Sequence, residues 1–498
     1  MSAGALREAP PHALRPSSAV GTAFVPSLLA IGLVVSVISS LGAPLIPTIA
    51  RELGTSIPAA QWCLTIALIV GAVASPVIGR LGDGRHRRTV LLICLSLVTL
   101  GGVAAALART LAVLLLGRAL QGLGLALLPL TMAAAREHLP AESAGRTIAL
   151  LSVISAAGTG LGYPITGFIA AHLDTSAAFW FGAAASGATL LLALAFIPPP
   201  ASSPHYVRLD IRGACLIGAS LVALLLDMER GSDWGWASPA TLGLLMLALV
   251  LFGLWTVNEL SVAQPLIDLR LVRRRPVLGA NATGLVLGCA MYLALSLMTQ
   301  VVQEPTGFGD SVFVAGLTLL PLSLLSLISS RIAPILARRL GLRLTIPFGA
   351  LLIAAALLLF AITGNALWQA FVVMGIVGIG LGMTFAALPG LIVRSVPREE
   401  TSSATSFYQV TRYIGFSIGS GLSVTILRAL DGGSAVPTTN AYAWTFAIGA
   451  GVCALAALLA WSVTGPTAEV GLADSEARTR AVEEGELSAA GLPGVVEP

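Results

Sequence analysis

Apolar residues in this chain run on in blocks of roughly 20, each long enough to cross a hydrocarbon core as one helix. Inside a bilayer no water satisfies the backbone N–H and C=O groups, so such a segment must close its hydrogen bonds within itself. The blocks fall at about 24–48, 60–80, 90–109, 111–135, 147–171 and 177–198, then at about 211–229, 239–259, 276–300, 311–335, 344–363, 367–393, 402–428 and 440–463. The expectation is an all-α membrane protein with fourteen transmembrane helices. Only 10% of the residues are charged, against about 25% in a soluble protein, which excludes an ordinary soluble enzyme.

All 28 basic residues are arginine. A P-loop and a Schiff base both need a lysine, so a pump with its own nucleotide site and imine chemistry are excluded. Basic residues are retained on the cytoplasmic side of short loops. With the N-terminus inside, outward segments hold only Arg51, Arg109, Arg230 and Arg428, while Arg118 and Arg412 lie within apolar blocks and every other arginine falls inward. Adding or losing one span would scramble this pattern from that point on, so the span count and the cytoplasmic placement of both termini support each other. The five cysteines lie in apolar blocks without a CxxC pair and read as small buried hydrophobes, and the five histidines fall in connecting segments. The first block is too long for a removable signal peptide, so residues 1–22 read as a cytoplasmic tail. The acidic, Gly/Ala/Ser-rich stretch 466–498 reads as a disordered tail.

The chain repeats itself. Pro140, Glu142, Gly158 and Gly162 match Pro397, Glu399, Gly415 and Gly419 at one constant offset, and Gly122 and Gly124 match Gly378 and Gly380 at nearly the same one. Two homologous six-helix halves follow, at 23–200 and 263–465, with 201–262 a linker carrying two extra helices. Parallel repeats of this kind build transporters whose substrate site lies near the midplane between the halves.

Three segments stand out within that frame. Between the second and third blocks runs Gly79-Arg80-Leu81-Gly82-Asp83-Gly84-Arg85-His86-Arg87-Arg88. Taken alone, Arg87 and Arg88 read as a solvated basic loop serving topology. Asp83 can accept charge-assisted hydrogen bonds or sit at the N-terminus of a neighbouring helix. In the fourth block Arg118, with Gln121 and Gly122 after it, stands where an arginine costs about 2.5–3.5 kcal/mol to insert, so it is either a functional group or a bridge between helices. In the fifth block Gly158, Gly162, Pro164 and Gly167 permit close helix approach and a bend, with ordinary small-residue packing as the alternative.

An arginine stays protonated, so proton coupling would need a carboxylate in the membrane. Asp227, Glu229 and Glu259 at the ends of the extra helices, and Glu304 at the outer end of the ninth span, read as interfacial charges. A cavity lined by Ser36, Ser39, Asn281, Tyr292, Tyr408, Gln409 and Arg412, with Arg118 and Gln121 nearby, is net positive. It suits a neutral or anionic amphipathic substrate rather than a lipophilic cation.

These segments resemble the major facilitator superfamily. Its signature G-x-L-a-D-r-x-G-r-R between spans two and three is matched by Gly79, Leu81, Asp83, Arg87 and Arg88, while Gly84 and His86 depart from it. Arg118, Gln121 and Gly122 are similar to its R-x-x-q-G motif. Span five resembles its antiporter motif G-x-x-x-G-P-x-x-G-G, with Tyr163 ahead of Pro164 and Phe168 for the last glycine. Trp62 after Gln61, the turn Trp234-Gly235-Trp236 and Arg412-Tyr413-Ile414-Gly415 look like the fourteen-span drug:proton antiporter family, over roughly residues 24–463.

The resemblance implies that Asp83 helps latch the two halves on the cytoplasmic side when the cavity opens outward. It implies that Arg118 meets polar or backbone groups of span one and is tied to proton transfer, and that span five marks an antiporter. In the second half Arg338 stands where the acid would be, so a latch there would differ. Span one departs as well: the position where that family carries an Asp, counted back from Pro47, is Ile38. The expected function is secondary active export of small amphipathic, drug- or antibiotic-like molecules by proton antiport, from the cell membrane. An uncoupled facilitator or exchanger for neutral or anionic compounds is the alternative, and a membrane-embedded lipid-modifying enzyme a remote one. The expected partners are a small amphipathic substrate, protons and the lipid bilayer, without nucleic acid, cofactor or metal, for a chain acting as a monomer.

Overall fold

The computed structural model of the protein describes residues 22–41, 45–83, 85–199, 209–397, 400–430 and 438–463. Nearly all of the two expected tails, together with Gly84 and Glu399, falls outside these residues. Every apolar block contains a helix: α1 (Phe24–Ser40), α2 (Ile57–Gly82), α3 (Arg87–Ala106), α4 (Leu111–His138), α5 (Ala141–His172), α6 (Thr175–Phe196), α7 (Ile211–Trp234), α8 (Pro239–Ser261), α9 (Arg275–Gln303), α10 (Leu320–Leu340), α11 (Leu342–Thr363), α12 (Leu367–Ser395), α13 (Thr401–Leu430) and α14 (Thr439–Val463). No strand occurs among the described residues. Among the described residues, 11 helices are by length and composition apolar enough to cross a membrane, and α1 is a shorter apolar helix.

Local chemistry sets the helix ends. Pro58, Pro239, Pro276 and Pro321 stand in the first turn, where a missing N–H leaves no bond unmade. Ser56, Thr110, Asp174 and Ser238 cap their helices by accepting the N–H three residues on. Gly235, at a φ of 86°, reverses the chain between α7 and α8.

Helix α1 packs on α5 and α6, α2 on α4, and α3 on α4 and α6. The same pairings recur as α9 on α13 and α14, α10 on α12, and α11 on α12 and α14. The repeated glycines stand at these crossings. A β-carbon on Gly122 would collide with the Ala67 carbonyl oxygen of α2, and one on Gly378 with the Leu322 carbonyl oxygen of α10. Likewise Gly158 lies against Ser36 of α1, and Gly415 against the Leu285 carbonyl of α9. The two groups meet where α2 contacts α13 and α5 contacts α10.

Helices α7 and α8 pair with each other, and α7 also lies against α2 and α13. The outer face of α8 exposes Leu242, Met246, Leu249, Phe252 and Val257, a surface suited to lipid. Two sequence readings are corrected here. Cys215 is exposed on α7 rather than buried, and His138, its ring 5.6 Å from that of Phe24, and His172 belong to the last turns of α4 and α5 rather than to connecting segments.

Candidate functional site

The last carbonyls of a helix have no intrahelical donor. Arg118, fully buried on α4, supplies donors to the end of α1: Nη1 donates to Ile38 O at 3.0 Å and Nη2 to Ser39 O at 3.3 Å. Its Nε donates to Cys63 O of α2 at 2.9 Å, and Nη1 also reaches Gln121 Oε1 at 2.8 Å. The planar fork of the guanidinium thus ties α1, α2 and α4 together, with its charge at a helix C-terminus where the macrodipole favours a cation. Ile38, standing where the resemblance would have an acid, contributes its main-chain oxygen instead. The Ser36 hydroxyl donates to Gly32 O and the Ser39 hydroxyl to Ser36 O, so both serines belong to this neighbourhood.

At the Arg-rich end, Asp83 caps a helix from the other group. Its carboxylate accepts the N–H of Ser402 at 2.7 Å, the N–H of Ser403 at 3.0 Å and the Ser403 hydroxyl. These are first-turn donors of α13, which have no acceptor within their own helix. Burial pushes the Asp83 carboxyl up to about 7; the Ser403 hydroxyl pulls it down, the Glu400 charge adds to the rise, and the two N–H groups lower it.

Further bonds surround that cap. Arg80 Nη1 reaches both Glu400 oxygens at 2.9 Å. Arg136 of α4 donates to Val396 O at 3.0 Å, to Pro397 O at 3.2 Å and to the Thr401 hydroxyl. Gly79 lies directly under Ser406, with no room for a β-carbon, and Leu81 is half-buried. The reading of Arg87 and Arg88 as a solvated loop is corrected. Arg87 is buried, donates to Gly82 O at 2.6 Å and pairs with Glu137, so it bolts α3 and α4 to the end of α2. Arg88 donates to Leu194 O of α6 at 2.9 Å. At the other junction Ala149 and Val153 of α5 pack on Ala333 and Leu336 of α10, an apolar contact, while the Arg338 side chain lies outside the described residues.

Mid-way along α13, Arg412 is 1% exposed. Its Nη2 donates to the Ser155 hydroxyl of α5 at 2.8 Å; the two residues are 257 apart, the same offset that pairs Gly158 with Gly415. The guanidinium carbon lies 5.3 Å from the ring centre of Phe385, 5.5 Å from Phe416, 5.8 Å from Tyr413 and 5.9 Å from Tyr408. Its Nε and Nη1 are buried without an acceptor among the described residues, and the Tyr408 hydroxyl, both amide atoms of Gln409 and Asn281 Oδ1 are likewise buried without a hydrogen-bond partner among them.

Helix spacing puts Tyr408 and Gln409 beside Arg412 on α13. Gly284 and Gly288 let α9 lie against the Tyr408 ring and the Arg412 backbone, and Tyr292 stacks on Phe416 at 5.0 Å. The structure therefore gathers Tyr292, Tyr408, Gln409 and Arg412 at one crossing, with Asn281 about one turn from Gly284, and leaves Ser36 and Ser39 with Arg118. Ser155, Phe385, Tyr413 and Phe416 were missed as site residues. The repeat could have pointed to Ser155, whereas nothing along the chain separates Phe385 from other apolar residues. In α5, Gly162 and Pro164 are buried within a continuous helix, where the Gly162 carbonyl accepts the Thr166 hydroxyl at 2.7 Å; the surroundings of Gly167 lie outside the described residues.

The sequence profile of the Major Facilitator Superfamily matches residues 28–420. The chain belongs to that superfamily. An uncharacterized MFS-type transporter of Mycobacterium tuberculosis is 30% identical over 383 residues, which cover 76% of this chain and 55% of the relative. The chain thus spans about half the length of that relative. Multidrug resistance protein Stp of the same species is 28% identical, covering 77% of this chain and 72% of its own. The tetracenomycin C resistance and export protein of Streptomyces glaucescens is 25% identical, covering 80% and 74%. The crystal structure of the human organic anion transporter MFSD10 (TETRAN) shares the fold, with a TM-score of 0.59 at 17% identity, over 88% of this chain and 98% of that one. Among the described residues of this member of the major facilitator superfamily, 11 helices are long and apolar enough to cross a membrane.

Proposed function

We propose that this transporter exports small amphipathic molecules, neutral or anionic, by proton antiport with alternating access. The observation that carries the reading is Arg412, a buried cation with free donors, ringed by aromatic side chains and bonded across to Ser155. An anionic or acceptor-bearing group of the substrate satisfies those donors while its apolar part lies on the rings. A cation there would meet a like charge at low dielectric. Two relatives named for multidrug resistance and tetracenomycin C export support the outward direction.

In this reading the chain crosses the cell membrane fourteen times as a monomer, with both termini in the cytoplasm. Its halves 23–200 and 263–465 flank the inserted pair 201–262. Residues equivalent under a two-fold axis touch only on that axis, so the Arg412–Ser155 bond marks the middle of the molecule. The Asp83, Arg80 and Arg136 bonds to the start of α13 then close the cytoplasmic mouth, and breaking them opens the site inward. The potential contributes about 2.3 kcal/mol per charge per 100 mV to each cycle.

The test is efflux from proteoliposomes under an imposed pH gradient and, separately, an imposed potential, across neutral, anionic and cationic compounds. Acid on the outer side should accelerate export of the neutral and anionic members, and Arg412→Gln should depress anionic export more than neutral export. Preferential export of cations, unaltered by Arg412→Gln, would refute the assignment. A second reading, an uncoupled exchanger, is favoured by the lack of any ion pair to Arg118 or Arg412 among the described residues. Transport indifferent to pH for every compound would establish it.

A further inference from the structure

Proton antiport needs a group that gives up and regains a proton, and neither Arg118 nor Arg412 does so. Asp227 reads along the chain as an interfacial charge. The structure instead encloses it: the residue is 0% exposed, and neither carboxylate oxygen has a hydrogen-bond partner among the described residues. It lies about 10 Å along the α7 axis from Trp234, at the end of the helix away from the Arg-rich face.

Helix α7 is wedged against both α2 and α13. Leu225 packs with Ile69 and Ala72 of α2, while Ile217 and Leu221 pack with Val410 of α13. Beyond Asp227, a β-carbon on Gly421 would approach Met228 O to 3.2 Å, and Trp236 Nε1 donates to the Thr425 hydroxyl at 2.8 Å. Asp227 shares its helical face with Ser220, whose hydroxyl donates to Ala248 O of α8 at 2.9 Å, so the carboxyl is buried towards the α7–α8 interface, on a helix wedged against both groups, where a shift of α7 would admit water.

No neighbouring charge answers it among the described residues. On α7 the Arg230 guanidinium lies over the Trp62 ring, 5.2 Å from its centre, and Arg212, Glu229 and Asp233 complete the helix's charges with Asp227. Helix α2 carries Arg80, bound to Glu400; α13 carries Arg412, bound to Ser155, and Arg428 towards its far end. Helix α8 carries Glu259, which accepts the Ile267 N–H at 3.3 Å near the Arg-rich face. An enclosed carboxylate without a partner costs several kcal/mol, whereas the neutral acid does not.

We propose that Asp227 is the proton-carrying carboxylate of this transporter; the proposal rests on the proton-antiport reading above. The acid holds its proton while buried on α7 in the packed arrangement. It releases the proton, becoming a carboxylate, when α7 shifts against α2 and α13 and water reaches it from the cytoplasm, and regains one from the outer side, so one proton enters per cycle. The inserted pair α7–α8 thus supplies the acid that span one lacks at Ile38.

The test uses the full chain in proteoliposomes, with lumenal pyranine reporting protons and fluorescein, an anionic amphipathic dye, as cargo. In the wild type an imposed pH gradient should drive fluorescein against its gradient with matching proton movement. Asp227→Asn should abolish both while fluorescein counterflow without a pH gradient persists. A variant that keeps gradient-driven transport overturns the role of Asp227 and leaves antiport standing. Wild-type vesicles in which protons and dye move independently overturn the antiport reading and the proposal with it. If Asp227→Asn does not insert, Asp227→Glu decides: a shifted pH midpoint of coupled transport supports the assignment, and an unmoved one overturns it.

Discussion

Replacing Asp83 by asparagine preserves the side chain's shape and exchanges one acceptor for a donor. The remaining oxygen can keep the Ser402 N–H and the new NH2 can turn to the Ser403 hydroxyl, but the Ser403 N–H, now bonded at 3.0 Å, loses its acceptor. A buried donor left unsatisfied costs about 1–3 kcal/mol. That corresponds to a roughly 5- to 150-fold shift from closed to open latch. With the closed state rarer, export should fall by up to that factor while expression is maintained. The pH dependence has a definite sign. The closed latch holds the Asp83 carboxyl near 7, against 3.8 for the free side chain, so the closed form binds the proton more readily. Its contribution to closure is full below 3.8 and is lost as pH rises through about 7. Spin labels on exposed His86 and Arg339, in a background without the native cysteines, report the separation of the two groups by electron–electron double resonance. The wild type should open across that pH window, and Asp83→Asn should be more open than the wild type at low pH and no longer follow it. Identical distance distributions in the two proteins, with unchanged export, would refute the latch.

Two further substitutions test the packing. Arg118→Lys keeps the charge but loses the fork that serves Ile38, Ser39, Cys63 and Gln121 at once, and each buried carbonyl left without its donor costs about 1–3 kcal/mol. The melting temperature in detergent should drop by several degrees, and an unmoved one would show that the tie does not hold α1 to α2 and α4. Gly378→Val drives a side chain into the Leu322 carbonyl and Gly122→Val into that of Ala67, overpacking by about 1–3 kcal/mol or more. Both should lower the yield of monodisperse protein in size-exclusion chromatography, and normal yields would argue against the close crossings.

Much of the architecture is legible in the chain because a bilayer leaves the backbone few choices. A long apolar run must become a helix, and a glycine recurring at one offset marks a crossing that recurs in space. Asp83 and Arg118 announced themselves for a related reason, since a charge beside or inside an apolar block needs a partner. What the chain does not carry is which face of each helix meets protein. Lipid is as apolar as a protein interior, so Leu and Val serve on either side, and periodicity does not separate them. Hence Cys215 was expected inside and lies exposed, Arg87 was expected in solvent and is buried, and Asp227 was expected at an interface and is enclosed. The sequence by itself determined helices, repeat and the residues that need partners. Tertiary structure decided the partners: carbonyls of α1 and α2 for Arg118, Ser155 for Arg412, the first turn of α13 for Asp83 and, among the described residues, none for Asp227. Those choices depend on how helices distant in sequence lie against one another, and hydropathy along one helix holds no record of that.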